Sequence, residues 1–166
     1  KVTIFSGEKT EQYIAGKKRF LEEAKILMKF NNIDGVVQFY NFFEENETVY
    51  IVMEYLEGET VKQRLQREKT IPVIDALNII MPIVDAMEKI HAENIIHRDI
   101  SPDNIILTND GRVKLIDFGA AKFSTTIHSK SLSVLVKPGF AAEEQYSGRN
   151  IGPWVDVYSI AATFYN

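Results

Sequence analysis

Two polar motifs, separated by a predicted hairpin, place the tightest limits on the fold of this 166-residue chain. The first motif is His97-Arg98-Asp99-Ile100-Ser101-Pro102-Asp103-Asn104, and the second is Asp117-Phe118-Gly119. Between them, Ile105–Thr108 and Val113–Ile116 are typical of strands, and Asn109-Asp110-Gly111 is typical of a tight turn. Such a hairpin would bring Asn104, which precedes the first strand, close to Asp117, which follows the second.

The order of these polar side chains is typical of phosphoryl transfer from a metal-bound nucleotide. Asp99 would accept the proton of an attacking hydroxyl group, and Asn104 and Asp117 would bind the magnesium ions that bridge the phosphates. Either motif alone is weak evidence, because Asp-Phe-Gly often ends an ordinary strand and a histidine after two isoleucines is usually packed in a core. Both motifs with a hairpin between them are much more specific.

At these positions the chain resembles the protein kinase family, whose signature pairs an H-R-D-x-x-x-x-N loop with a later D-F-G. The resemblance implies an α+β, protein-kinase-like bilobal fold that uses ATP and Mg²⁺, with Mn²⁺ as a substitute. Residues 1–54 would be part of the β-rich N-lobe, with the family's helix C and its fourth and fifth strands. Residues 55–58 would be the hinge, and residues 59–166 part of the helical C-lobe, ending within helix F.

The resemblance also implies a set of nucleotide-binding residues. Glu23 falls where helix C carries a glutamate that pairs with the lysine holding the α- and β-phosphates, and Glu22 is its rival one residue away. Four further residues would surround the adenine base: the gatekeeper Met53, the hinge residues Glu54 and Leu56, and Ile106 in the apolar floor.

The chain departs from the family at two positions that are predicted to compensate for each other. The family's serine/threonine kinases carry a lysine two residues after the catalytic aspartate, where this chain has Ser101. That lysine neutralises the γ-phosphate and is oriented by a threonine seven residues before the glutamate that ends the activation segment, which in this chain would extend from Asp117 to Glu144. Counting back seven residues from Glu144 reaches Lys137. We hypothesise that Lys137 supplies the cation and Ser101 the hydroxyl group; the alternative is a Lys137 exposed on a mobile loop.

Three further expectations follow from the resemblance. Arg98 would receive a phosphate group carried by the Ser/Thr-rich segment between residues 124 and 133, although such a loop is often merely flexible. Asp156 would hold the backbone of the first motif, His97–Asn104, which corresponds to the family's catalytic loop. Four side chains would form a column that links the two lobes: Leu27, Phe39, His97 and Phe118.

The spacing of apolar residues predicts the remaining elements. Helices are expected over Gly16–Phe30, Val61–Arg67 and Pro72–His91, and strands over Val2–Phe5, Val36–Phe43 and Thr48–Met53. Pro82 should kink the longest helix or remove one of its hydrogen bonds. The buried face of that helix is predicted to contain Leu77, Ile80, Val84, Met87 and Ile90.

Composition excludes several functional classes. The net charge of −4 argues against a general nucleic-acid-binding protein, which would be clearly basic. Without cysteine there is neither a disulfide framework nor a thiolate metal site, which suits a reducing cytoplasm. The longest apolar run, Leu77–Met87, is too short and too polar to span a membrane. We therefore expect a cytoplasmic location.

The sequence contains neither the family's glycine-rich loop nor its V-A-I-K strand, which predicts a kinase-domain fragment trimmed at both ends and inactive by itself. Core surface exposed on such a fragment would favour self-association or domain swapping. The expected activity of the parent protein is transfer of the ATP γ-phosphate to Ser/Thr hydroxyl groups of proteins. A pseudokinase scaffold is the alternative, against which the retained Asp99, Asn104 and Asp117 argue. A small-molecule kinase is a third reading, which the activation segment disfavours.

Overall fold

The computed structural model describes residues 17–18, 21–22, 24–26, 28–46, 48–118, 121–123, 136–148 and 150–166. The predicted strand Val2–Phe5, the predicted site residue Glu23 and the column residue Leu27 lie outside these ranges, as does the Ser/Thr-rich segment 124–133. Residues 17–18, 21–22, 24–26 and 28–29 are helical, in agreement with the helix predicted there. The elements that follow are β1 (Phe39–Glu45), β2 (Thr48–Met53), β3 (Gly58–Thr60), α1 (Val61–Glu68), α2 (Val73–Ala92), β4 (Ile95–Ile96), β5 (Ile105–Thr108), β6 (Val113–Leu115), β7 (Lys122–Phe123), α3 (Glu143–Ser147) and α4 (Trp154–Tyr165).

The described strands form three small antiparallel sheets. β1 pairs with β2, β4 pairs with β7, and β5 lies between β3 and β6. The prediction that the strand Val36–Phe43 begins at Val36 is wrong, because β1 begins at Phe39. Val36 instead forms an isolated parallel bridge with Leu115, and Val37 N donates to Leu115 O at 3.0 Å. These bonds join the segment before β1 to the β5–β6 hairpin.

The predicted hairpin between the two polar motifs is confirmed. Ile105 pairs with Leu115 and Leu107 with Val113, and the turn is closed by Thr108 N donating to Arg112 O at 2.9 Å. Gly111 has a φ of +83°, a conformation that costs a residue with a β-carbon free energy and that glycine adopts readily. The next backbone bond, from Ile116 N to Asn104 O at 2.9 Å, extends the pairing to the ends of the two motifs.

The longest helix, α2, packs a broad apolar face into the core and exposes two of the residues predicted to be buried. Leu77 and Val84 are 39% and 37% exposed. The buried face of α2 is rotated around the helix axis relative to the predicted face. Its residues follow helical spacings of three and four: Ile79, Ile80, Ile83, Ala86, Met87 and Ile90. Pro82 lies inside the helix, as predicted. A β-carbon added to Gly35 would lie 2.7 Å from Pro82 O, so glycine permits the close approach of the two backbones.

In the part of the chain that the structure describes, buried apolar side chains form one large and one small cluster. The large one extends from Ala24 and Phe30 in the N-terminal helical residues through β1, β2 and α2 to Phe118. The small one, Ile96, Ala142, Ile151 and Val155, joins β4 to the start of α3 and to α4. None of the helices in the described part of the chain is long and apolar enough to cross a membrane.

Candidate active site

The first polar motif forms a loop between β4 and β5, and Asp156 holds its backbone. Asp156 is fully buried in the first turn of α4. Its carboxylate accepts hydrogen bonds from His97 N at 2.8 Å and Arg98 N at 2.7 Å, and its Oδ2 lies 2.8 Å from His91 Nε2. The predicted role of Asp156 is therefore confirmed.

Arg98 is a buried residue with a φ of +69°, a left-handed conformation that residues with a β-carbon rarely adopt. Burial lowers the pKa of its guanidinium, and the nearby charge of Asp156 acts in the opposite direction. Arg98 Nε has no hydrogen-bond partner within the described residues. Its carbonyl oxygen accepts a hydrogen bond from Gln145 Nε2 at 2.9 Å. Sequence reasoning did not identify Gln145 as a functional residue.

Asn104 holds the next residue of the loop, Asp99, through two hydrogen bonds. Its Nδ2 donates to Asp99 O at 2.8 Å and to Asp99 Oδ2 at 2.9 Å. Burial is the largest influence on the pKa of Asp99 and raises it, while the bond from Asn104 and the charge of Lys137 lower it. The asparagine therefore orients the candidate base and leaves its own side-chain oxygen as a possible metal ligand.

Asp117 follows β6 and lies beside Asn104, because Ile116 N donates to Asn104 O. It has a φ of +66° and is close enough to Asp99 for its charge to raise the pKa of that carboxyl group. The ring of the next residue, Phe118, packs edge-on against His97 with centroids 4.6 Å apart and lies 6.0 Å from the ring of Phe30. Two members of the predicted column, His97 and Phe118, are thus in contact.

The donor atoms suit a magnesium ion that is shared with a nucleotide. Within the described ranges, no group of three or more His, Asp or Glu side chains could hold a metal by itself. Mg²⁺ commonly binds one or two carboxylates and completes its six ligands with water and substrate phosphates. The Asp117 carboxylate and the Asn104 amide oxygen would supply ligands of this hard, oxygen type, and the pair therefore fits the predicted ion.

Lys137 lies against the catalytic loop, as expected from the hypothesis that Lys137 and Ser101 compensate for each other. Its Nζ donates to Ser101 Oγ at 2.9 Å and forms an ion pair with Asp103 Oδ2. The other oxygen of Asp103 lies 2.7 Å from Lys62 Nζ of α1. Ser101 is fully buried, whereas the Lys137 side chain is 32% exposed. The alternative of a fully solvated Lys137 therefore does not describe this structure.

The four predicted adenine-binding residues are partly buried: Met53, Glu54, Leu56 and Ile106. The backbone N–H group of Glu54 is hydrogen-bonded within the protein, because it donates to Gln38 O at 2.8 Å. Its carboxylate accepts a hydrogen bond from Gln38 N at 2.8 Å and lies 3.4 Å from Lys114 Nζ. The sequence pattern points only to the backbone of Glu54 and does not predict this buried ion pair.

A cavity of about 180 Å³ lies away from these residues, between α1, α2 and the end of α4. Its lining includes Leu65, Ile79 and Phe164 and contains neither a carboxylate side chain nor a histidine. It also contains none of the predicted site residues. The catalytic loop, with its paired acids and cations, is therefore the stronger candidate for the active site.

Comparisons with known proteins support the family resemblance. Residues 3–166 match the family described as protein kinase domain. The serine/threonine-protein kinase PknA of Nostoc sp. is 36% identical over 155 residues, which cover 89% of this chain and 27% of the relative. The serine/threonine-protein kinase PrkC of Bacillus subtilis is 34% identical over 149 residues, covering 89% of this chain and 23% of the relative. The chain thus spans less than a third of the length of these curated relatives.

Proposed function

The chain belongs to the protein kinase family, and we propose that the protein transfers the γ-phosphate of ATP to Ser/Thr hydroxyl groups of proteins. The observation that carries this proposal is the joint placement of Asp99, Asn104 and Asp117. The Asn104 amide orients Asp99, and the hairpin bond from Ile116 to Asn104 sets Asp117 beside them. A protein that only bound partners would need neither an oriented base nor two oxygen ligands next to it.

Asp99 is proposed as the group that accepts the proton of the attacking hydroxyl, and Asn104 and Asp117 as the residues that hold Mg²⁺. When bound, Mg²⁺ would neutralise charge on the phosphates during transfer. Asn104 serves both tasks, because its amide nitrogen holds Asp99 while its amide oxygen stays available as a ligand. Arg98 is proposed to receive a phosphate group from the activation segment, which its buried Nε without a partner in the described residues supports.

Lys137 is proposed to supply the cation at the γ-phosphate, with Ser101 orienting it. Two observations support this role: the 2.9 Å bond from Lys137 Nζ to Ser101 Oγ, and the effect of the Lys137 charge on the pKa of Asp99. An ammonium group carries three N–H donors. Ser101 and Asp103 use two of them in the described contacts, so one donor remains for a phosphate oxygen.

On the nucleotide side, the backbone of Glu54 and Leu56 is proposed to bind the adenine edge, beside Met53 and above Ile106. Glu23 is proposed to pair with the lysine that holds the α- and β-phosphates. The partition into residues 1–54, a hinge at 55–58 and residues 59–166 stays a prediction. Self-association or domain swapping of the chain also stays a prediction. A cytoplasmic location is proposed because the sequence without cysteine suits a reducing compartment.

The proposal is tested by phosphorylation of a generic protein substrate by the full-length protein with Mg-ATP. Asp117→Ala and Asp99→Asn should each reduce transfer to background. Asp110→Asn is the matched control, since Asp110 lies in the exposed turn of the same hairpin. Undiminished transfer in Asp117→Ala would show that the assignment is wrong. A wild-type protein that binds Mg-ATP and transfers no phosphate would favour the pseudokinase alternative.

A further inference from the structure

Gln145 is a buried amide whose two polar atoms both have partners. The residue is 1% exposed and lies in α3. Its Nε2 donates to Arg98 O at 2.9 Å, and its Oε1 accepts a hydrogen bond from Ala142 N at 3.1 Å. Burial of a polar side chain is unfavourable unless its hydrogen bonds are made, so these two contacts account for an amide at this position. One contact is local to α3 and the other reaches the catalytic loop.

Gln145 contacts the loop at Arg98, whose backbone conformation is an unfavourable one. Arg98 has a φ of +69°, and its backbone N–H is bound by Asp156 of α4. Gln145 binds the carbonyl oxygen of the same residue. Two side chains from two different helices therefore hold both backbone polar groups of Arg98.

The carbonyl group of Arg98 belongs to the peptide plane that includes Asp99 N. The N–H group of the same peptide is also bound, because Asp99 N donates to His97 Nδ1 at 3.3 Å. The side-chain carboxylate of Asp99 accepts a hydrogen bond from Asn104. Rotation about the Cα–C bond of Arg98 would move this carbonyl oxygen together with the N and the Cα of Asp99. The hydrogen bond from Gln145 to Arg98 O therefore influences the position and orientation of the Asp99 carboxylate.

We propose that Gln145 is a positioning residue: it fixes the peptide between Arg98 and Asp99, and it thereby couples residues 136–148 to the orientation of the catalytic base. The inference rests on the proposed kinase function of Asp99. Proton acceptance requires a base within hydrogen-bond reach of the hydroxyl group. A displacement of about 1 Å in such a site lowers the rate by about 10²-fold.

A purely structural role for Gln145 is the competing explanation, because its bond to Ala142 N closes the first turn of α3. Two substitutions separate the roles. Gln145→Glu keeps an oxygen that accepts from Ala142 N but cannot donate to Arg98 O when ionised. Because burial raises the pKa of a carboxyl group, this variant is measured at a pH at which it is ionised. Gln145→Met has a similar length and loses both bonds. The matched control is Glu143→Gln, an exposed position in the same short helix.

The experiment measures the single-turnover rate, the KM for ATP and amide hydrogen exchange of the loop in full-length protein. We expect both Gln145 variants to lose about 10²-fold in rate while the KM for ATP stays within about twofold. We also expect faster exchange at the amide of Asp99 in both variants. Glu143→Gln should match the wild type in all three measurements.

Wild-type rates, or wild-type exchange, in folded Gln145→Glu would overturn the proposal and leave Gln145 as a helix cap. Loss of the folded state in Gln145→Met would leave Gln145→Glu to decide. Loss of the folded state in both variants would assign Gln145 to stability alone and would also overturn the proposal. The exchange measurement needs no phosphoryl transfer. It therefore distinguishes failure of this inference from failure of the proposed function.

Discussion

Asp99 is partly buried and lies among charges of both signs. Burial raises its pKa above the ordinary 3.8, the charge of Asp117 acts in the same direction, and Asn104, His97 and Lys137 oppose them. A base works only when deprotonated, so with Asp99 as the proposed base we expect phosphoryl transfer to be present above the pKa of Asp99 and to be lost as the pH falls through it. We expect the acid limb of the kcat/KM profile to lie above the ordinary range of an aspartate.

The neighbours of Asp99 provide the control for this pH dependence. Asn104 and Lys137 both lower the pKa of Asp99, so Asn104→Ala and Lys137→Met should move the acid limb to higher pH. Asp110→Asn changes a carboxylate in the exposed hairpin turn and should leave the limb in place. An acid limb at the same pH in all four proteins would assign it to another group.

The contact between Lys137 and Ser101 leads to a second prediction at the scale of single residues. Lys137→Met should slow the chemical step by about 10²–10³-fold, the loss typical of removing one electrostatic stabiliser. The double substitution Ser101→Lys with Lys137→Thr should restore part of the rate, because it returns the cation to the catalytic loop. The effect should appear in the single-turnover rate with saturating Mg-ATP.

Lys62→Met is the matched control for Lys137. Lys62 Nζ binds the other oxygen of the same Asp103, 2.7 Å away, so its removal takes a similar charge from the same cluster. We expect a change of less than about tenfold for Lys62→Met, because no hydrogen bond joins the Lys62 side chain to Ser101 in the described part of the chain. Equal losses in the two variants would mean that the cluster acts only through its net charge.

At the scale of elements, α4 is tied to the catalytic loop by one buried carboxylate. Asp156→Ala would leave the N–H groups of His97 and Arg98 without their partner. A buried donor without a partner costs roughly 1–3 kcal/mol, so the free energy of unfolding should fall by at least that amount. Thermal or urea unfolding of the protein measures the loss, and phosphoryl transfer should fall as well because the loop backbone is released.

Val157→Ala serves as the control on the same helix, since Val157 is 59% exposed. A surface substitution of this kind usually changes stability by less than about 0.5 kcal/mol. If Asp156→Ala unfolded no more easily than Val157→Ala, the carboxylate would not be what holds the loop to α4.

The elements show where sequence patterns succeed and where they do not. The hairpin and the end of β2 were predictable, because turn residues and β-branched runs act locally. The start of β1 was not, since Val36 pairs with Leu115, far away in the chain. The buried face of α2 was only partly predicted, because which of several apolar residues turn inward depends on the partners of the helix. Gln145 had no pattern of its own, and its partner became known only from the fold.

At the scale of the whole molecule, distant parts of the chain converge on the catalytic loop and its hairpin. Residues 136–148 contact the loop through Lys137 and Gln145, and α4 contacts it through Asp156. From the N-terminal side, the segment around Val36 and Val37 pairs with Leu115. The geometry of the site is therefore a property of the assembled fold, although its residues lie mostly in two short motifs.

Lys114 and Glu54 form a buried ion pair that strengthens the N-terminal link. Their side chains are 6% and 8% exposed, and Nζ of Lys114 lies 3.4 Å from Oε1 of Glu54. Lys114 Nζ also donates to Val36 O at 2.9 Å, while Glu54 Oε1 accepts from Gln38 N. One cation of β6 thus joins the hairpin to the segment before β1 and to the proposed adenine-binding segment.

Removing one member of this pair should cost more stability than removing both charges. Lys114→Met would leave the Glu54 carboxylate buried without its ammonium partner, a change that destabilises proteins by about 3–5 kcal/mol. Adding Glu54→Gln removes the second charge and keeps an oxygen for Gln38 N, so the double variant should recover part of that loss in urea unfolding. Arg112→Met is the control, because the Arg112 side chain is 53% exposed and 3.6 Å from Glu54. A double variant less stable than Lys114→Met would contradict the prediction, since the two charges would then act independently on the fold.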